Sequence, residues 1–309
     1  MELEDRLKIY EKPDRVLTRF NPFRSRSCPL RLEVNVYTGC AFQCSYCYAR
    51  AYIRDFERPR PKKDFEKRLN NDVRDAIRLG FEKYLPVSIS NSCEPLQPLE
   101  DKYRHTLLTM KLLMENNFNI IILTKNPVKL LNGEYLDAMN PKKTFIEVTI
   151  PFIDPNHSKF FEPNAPPPLD RIQAVAELIK NGFTIAVRLD PIIPRFGGIP
   201  GQSVPEVKAL VEKLHEAGVK LVVAKCLRLV GATARVNPTL YYGLKPYYVK
   251  NGCWTGNCWE LIDGVKQELH IPLYEYCSRH NIFYSTCLDN VRFPGSVRCD
   301  RAAYFFALK

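Results

Sequence analysis

From about residue 31 to residue 230 the chain alternates short β-branched runs with longer amphipathic stretches, and few folds accept that order of elements. The apolar runs fall at residues 32–36, 87–91, 119–124, 144–150, 184–190 and 220–227, and each reads as a strand. Helical periodicity fills the intervals, as at residues 107–116, 171–181 and 204–217. Asn181-Gly182 and Ala217-Gly218 stop two of these helices directly ahead of a strand. A strand that returns through a helix pairs in parallel with its neighbour, so the pattern predicts a parallel sheet built from βαβ units. Six such units fit an α/β fold of the partial (β/α)6 barrel type. Barrels of that kind carry their chemistry at the C-terminal strand ends. Around the predicted barrel lie a short charged N-terminal segment, residues 1–30, and a cysteine-rich C-terminal extension, residues 231–309. The extension shows a helix near residues 271–280 and a strand at 282–286.

A chain of 309 residues can bury one large α/β domain or two smaller ones. No apolar run approaches the roughly 18 residues of a membrane span, and the charged start lacks the apolar region of a signal peptide. The 11 cysteines are an odd number, which argues against a disulfide framework. Reduced thiols or metal ligands in a cytoplasmic protein are the expectation. The net charge of +11 suits a nucleic-acid partner or an anionic small substrate, and equally a merely charged surface. Its densest run, Arg58-Pro-Arg-Pro-Lys-Lys63, reads either as a solvated loop or as a phosphate contact.

Directly after the first predicted strand stands Tyr37-Thr-Gly-Cys-Ala-Phe-Gln-Cys-Ser-Tyr-Cys-Tyr-Ala-Arg50, with Cys40, Cys44 and Cys47 spaced Cys-x3-Cys-x2-Cys. Thiolates are soft ligands that select iron–sulfur clusters, zinc or copper(I). A 4Fe–4S cluster normally takes four cysteines, so three local ligands leave one iron open. A zinc knuckle would call for a second cysteine pair further on, and none follows closely. The segment resembles the cluster loop of the radical S-adenosylmethionine superfamily. That resemblance implies a 4Fe–4S cluster on Cys40, Cys44 and Cys47 whose open iron binds S-adenosylmethionine. It also implies a low-potential electron donor and release of a 5′-deoxyadenosyl radical.

Further strings stand at predicted strand ends: Asn91-Ser-Cys-Glu-Pro-Leu-Gln-Pro-Leu-Glu100, Leu123-Thr-Lys-Asn126, Phe161-Glu-Pro-Asn-Ala-Pro-Pro-Pro-Leu-Asp-Arg171 and Arg188-Leu-Asp-Pro-Ile-Ile-Pro194. In that order they resemble the group of the superfamily related to spore photoproduct lyase, over about residues 32–230. Strand parity would put Ser88, Ser90, Ser92 and Glu94 on one side if the strand stays regular. The resemblance implies that Glu94, with Ser92 nearby, meets the methionine amino group, although relatives commonly carry Asp there. Thr124, Lys125, Glu147 and Asp190 are further cofactor candidates. Parity also pairs Arg188 with Asp190; the arginine either grips the methionine carboxylate or forms an ion pair with Asp190 or Glu147. Tyr48 resembles a tyrosine implicated in hydrogen-atom return, whereas Tyr46 is expected to pack. The lyase's donor cysteine aligns with Asn91, two residues before Cys93. Cys93 is thus either a displaced donor or a small buried residue.

Cys253, Cys258, Cys287 and Cys299 could build a second 4Fe–4S cluster or a zinc site, or be four unrelated thiols. The tyrosines and lysines of residues 241–250 could stack on bases or pack on the barrel. The expectation is a radical S-adenosylmethionine enzyme acting on DNA or RNA, by lesion reversal or modification. A protein, peptide or small-molecule substrate is the alternative. The rival from another class is a non-catalytic iron–sulfur carrier or nucleic-acid-bound regulator. Oligomeric state is not legible.

Overall fold

Every apolar run of the alternating segment becomes a strand of one sheet. The computed structural model describes Leu7, Tyr10, residues 15–20 and residues 30–297. Its strands are β1 (Leu17–Arg19), β2 (Leu32–Val34), β3 (Tyr37–Thr38), β4 (Arg60–Pro61), β5 (Val87–Ile89), β6 (Ile120–Thr124) and β7 (Thr144–Thr149). They continue with β8 (Thr184–Ile192), β9 (Leu221–Cys226), β10 (Leu229–Val230), β11 (Gly252–Trp254), β12 (Cys258–Leu261) and β13 (Phe283–Thr286). The main sheet runs β1-β2-β5-β6-β7-β8-β9-β13. Only the β1–β2 pair is antiparallel; all the others are parallel. The architecture is therefore α/β with a mostly parallel sheet.

The two faces of this sheet differ. On the helix-covered face Ile120, Ile122, Ile146, Val148, Val187 and Val222 join one large core with helices such as His105–Glu115, Pro168–Lys180 and Val204–Glu216. Each fully buried side chain of this kind stabilises by roughly 1.5–3 kcal/mol. On the inner face Ile121, Phe145, Ala186, Leu221 and Val223 form a small separate cluster, with Cys287 and Val297 packed against it.

Two strands, β2 and β5, end two residues earlier than expected, and the end of β5 matters for the site. β5 stops at Ile89, because Ser90 takes a left-handed φ of 61°. The side-to-side alternation expected through Ser92 and Glu94 is broken there. The cysteine-rich segment is also more ordered than its sequence pattern suggests. It forms helix Pro238–Asn251, strands β11 and β12, which build an antiparallel sheet with β10, and helix Asp263–Arg279. The last helix, expected near residues 271–280, begins earlier, at Asp263, and runs through Pro272. β13 then returns to pair in parallel with β9, so the segment contributes a strand to the main sheet. No helix of the described residues is long and apolar enough to cross a membrane.

Candidate active site

The cysteine loop follows β2 and is held from several directions. Gly39 has a φ of +79°, and a Cβ there would stand 2.5 Å from the Phe56 carbonyl oxygen, so only glycine fits. The Cys40 N–H donates to that same carbonyl at 3.2 Å, and the Ser45 N–H donates to the Phe161 carbonyl at 2.8 Å. Gln97 accepts from the Ala41 N–H at 2.8 Å. Arg50 is buried beneath the loop, where it pairs with Glu57 at 2.5 Å and donates to Gln43 at 2.8 Å. The short ribbon β3–β4 closes the loop's base and engages Arg60-Pro61 of the basic run in backbone pairing.

Cys40 and Cys44 are buried and Cys47 partly so, all as free thiols. Burial pushes the Cys44 thiol up to about 12 and raises Cys40 and Cys47 as well. Ligation to a cation reverses that preference and yields thiolates. Among the described residues, Cys226, His270 and Asp289 are the group of three such side chains whose ligand atoms all lie within 4.8 Å of one another. The loop thiols form no such single-ion group.

A polar layer crosses the inner face above the apolar cluster. In-register partners of parallel strands share a face, which aligns Glu33 with Ser88, and Arg188 with Val223 and Thr149. Lys225 follows Val223 by two residues on the same face. Arg188 donates to Glu147 at 3.2 Å and to Asp190 at 2.8 Å, so it makes both ion pairs that its sequence setting suggested. Burial opposes its charge, yet Glu147 and Asp190 hold its pKa well above the ordinary value. Burial would raise Asp190, but Lys225 and Arg188 outweigh it and hold the carboxyl below its ordinary value.

Glu94 is buried and committed to local donors. It accepts from the Thr124 hydroxyl at 2.5 Å, the Lys125 N–H at 2.8 Å and the Leu96 N–H at 3.1 Å. Burial raises its pKa, and these hydrogen bonds partly offset that. Lys125 extends its ammonium to 3.8 Å from Glu162 and 5.7 Å above the Tyr46 ring. Tyr46 packs as expected and donates to Glu162, which also pairs with buried Arg171 at 2.7 Å.

Tyr48 lies at the rim, 47% exposed, with its hydroxyl on the Asn91 carbonyl at 2.8 Å and the Lys225 ammonium 5.7 Å from its ring. The Ser92 N–H donates to Asn35 at 3.0 Å, and Asn91 donates to Glu33 at 2.8 Å. Cys93 is partly buried, its thiol 3.4 Å from the Ser90 hydroxyl and its pKa raised by burial. Glu33, Asn35, Glu162 and Lys225 escape the sequence reading. Lys225 left a signal, as a lysine inside the apolar strand Leu-Val-Val-Ala-Lys-Cys.

The C-terminal cysteines are spread out. Cys253 is exposed on β11, opposite Glu260, whereas Cys258 is buried on β12 with its sulfur 3.2 Å from the Thr255 hydroxyl. Cys287 follows β13 and packs on the inner-face cluster. The three do not converge on one ion, and Cys299 lies outside the described residues. In the tyrosine-rich segment Tyr241 and Tyr248 are buried and Tyr242 is exposed, so only part of it faces outward.

Comparison with solved structures matches a spore photoproduct lyase variant with bound AdoMet and dinucleoside spore photoproduct. The TM-score is 0.66 at 14% identity, over 86% of this chain and 78% of that one. The fold is that of spore photoproduct lyase. The resemblance read from the cysteine loop is thus borne out at the level of fold. Streptococcus suis SuiB bound to S-adenosylmethionine aligns more distantly, at a TM-score of 0.52 and 13% identity, over 88% of this chain and 51% of that chain. In sequence, an uncharacterised protein of Mycobacterium tuberculosis is 24% identical over 238 residues, 71% of this chain and 68% of that protein. One of Methanocaldococcus jannaschii is 27% identical over 161 residues, 52% of this chain and 60% of that protein. No family model matches the chain.

Proposed function

We propose that the chain is a radical S-adenosylmethionine enzyme and that its mostly parallel sheet is the partial barrel of that superfamily. The observation that carries this reading is the single loop bearing Cys40, Cys44 and Cys47 at the C-terminal end of β2, beside a layer of buried ionic side chains. Those three thiols would hold a 4Fe–4S cluster. When bound, such a cluster supplies the electron that cleaves S-adenosylmethionine to a 5′-deoxyadenosyl radical.

The protein's own residues position and protect. Arg188, fixed between Glu147 and Asp190, offers a rigid cation for a carboxylate. Lys225 and Lys125 add two more cations near the loop. Glu94 ties the ends of β5 and β6 together through Thr124 and Lys125, which orients the Lys125 side chain. The apolar cluster below excludes water from the inner face, as radical chemistry demands. Tyr48 and Cys93 are the candidate hydrogen-atom donors: Cys93 lies in the Ser90–Cys93 turn, and Tyr48 reaches that turn from the cysteine loop through its hydroxyl on the Asn91 carbonyl.

The substrate reading we favour is a nucleic acid. The basic charge supports it, as does the closer fold match to a protein holding a dinucleoside photoproduct. A peptide is the second reading, because SuiB bound to its precursor peptide also matches, at a TM-score of 0.53. Reconstituted, reduced protein should release 5′-deoxyadenosine from S-adenosylmethionine, and Cys44→Ala should release none. Absence of the product from cluster-loaded wild type sinks the enzyme reading. Nucleic-acid binding should weaken steeply with salt; no affinity at low salt removes that substrate class.

A further inference from the structure

Cys226, His270 and Asp289 form a cluster of ligand-type side chains outside the candidate active site. Cys226 ends β9 on the helix-covered face, opposite to Lys225. His270 comes from the helix Asp263–Arg279 and Asp289 from the loop after β13. One ligand atom from each lies within 4.8 Å of the other two. Cys226 is 3% exposed, His270 0%, and the Asp289 side chain 5%. We propose that these three side chains bind a divalent ion of the zinc class.

The donor set is one sulfur, one imidazole nitrogen and one carboxylate oxygen. Magnesium and calcium prefer oxygen alone, whereas zinc accepts all three. The far side of the imidazole is already gripped: Nδ1 lies 2.5 Å from the Tyr284 hydroxyl while Nε2 faces Asp289 at 3.0 Å. A hydrogen bond on the second ring nitrogen is how metal-ligating histidines are oriented. Asp289 is oriented too, since its Oδ2 accepts the Cys226 N–H at 2.6 Å and Lys266 stands 3.9 Å from Oδ1. On binding, Nδ1 keeps the ring proton and donates to Tyr284, Nε2 turns its lone pair to the ion, and the thiol proton leaves to solvent. Three protein ligands leave a fourth position for water. The ion would join β9, the last helix and the loop after β13, independently of the radical chemistry.

The test is a zinc count on cluster-loaded chain dialysed against zinc-free buffer. About one zinc per chain is expected, falling close to none in Cys226→Ser and in His270→Gln. Retention in Cys253→Ser/Cys258→Ser is also expected. A zinc-free wild type overturns the site, as does zinc that survives Cys226→Ser or leaves with the Cys253/Cys258 pair. X-ray absorption at the zinc edge of wild type needs no variant to fold. A single sulfur near 2.3 Å with nitrogen and oxygen neighbours supports the trio; two or more sulfurs, or none, refute it.

Discussion

Arg188 shows what one buried charge demands of its neighbours. Its guanidinium reaches both Glu147 and Asp190 while almost out of water. Arg188→Ala strands buried Glu147 and partly buried Asp190, and the expected loss is about 3 kcal/mol of stability, read from the urea midpoint. Asp190 adds a pH signature. Its pKa is held below the ordinary 3.8 by Lys225 and Arg188 against the opposing effect of burial. The stabilisation is fully present above pH 3.8 and fades as pH falls through the lower folded value. Asp190→Asn should flatten that part of the stability profile; an unchanged acid limb would show that Asp190 is not held low. The presence of these charges was legible in the sequence, and so was Arg188's choice between roles. The simultaneous grip on both acids was not, because Glu147 lies 41 residues away on a strand whose neighbour is set by the sheet.

At the scale of elements, turns and caps position the cysteine loop. Glu100 is fully buried and accepts from the Tyr37 hydroxyl at 2.5 Å, the Tyr135 hydroxyl at 2.9 Å, and the N–H groups of Thr106 and Leu107 at 3.0 Å. One carboxylate thus caps the helix His105–Glu115 and anchors the strand that enters the loop. Glu100→Ala should cost at least about 3 kcal/mol, since it leaves four donors without their acceptor; a thermal midpoint within error of wild type would refute this. Strand existence and order were readable from apolar periodicity, and most boundaries agree within two residues. What periodicity missed lies just past β5. Its alternation fails at Ser90, a left-handed residue that no propensity marks, and Glu94 therefore turns into the β6 end.

For the whole molecule, the C-terminal segment completes the main sheet. β13 covers the β9 edge, and Cys287 and Val297 pack on the inner-face cluster. A chain ending at residue 281 should expose the backbone edge of β9 together with Leu221 and Val223. The expected outcome is loss of soluble protein by edge association; a soluble truncated chain with unchanged urea stability would show that β13 is dispensable.

By itself the sequence determined the order of strands and helices and the three-thiol loop, because periodicity and ligand spacing are local properties. It also pointed to the fold that the structural comparison matches. Tertiary structure decided which charges meet on the inner face, that Glu94 is spent on backbone and hydroxyl donors, and that Lys225 stands beside Tyr48. It likewise decided that Cys226, His270 and Asp289 converge while Cys253, Cys258 and Cys287 do not. Such meetings join residues tens of positions apart. They depend on strand register and on where each strand ends, which are set by burying both faces of the sheet at once rather than by any short stretch of chain.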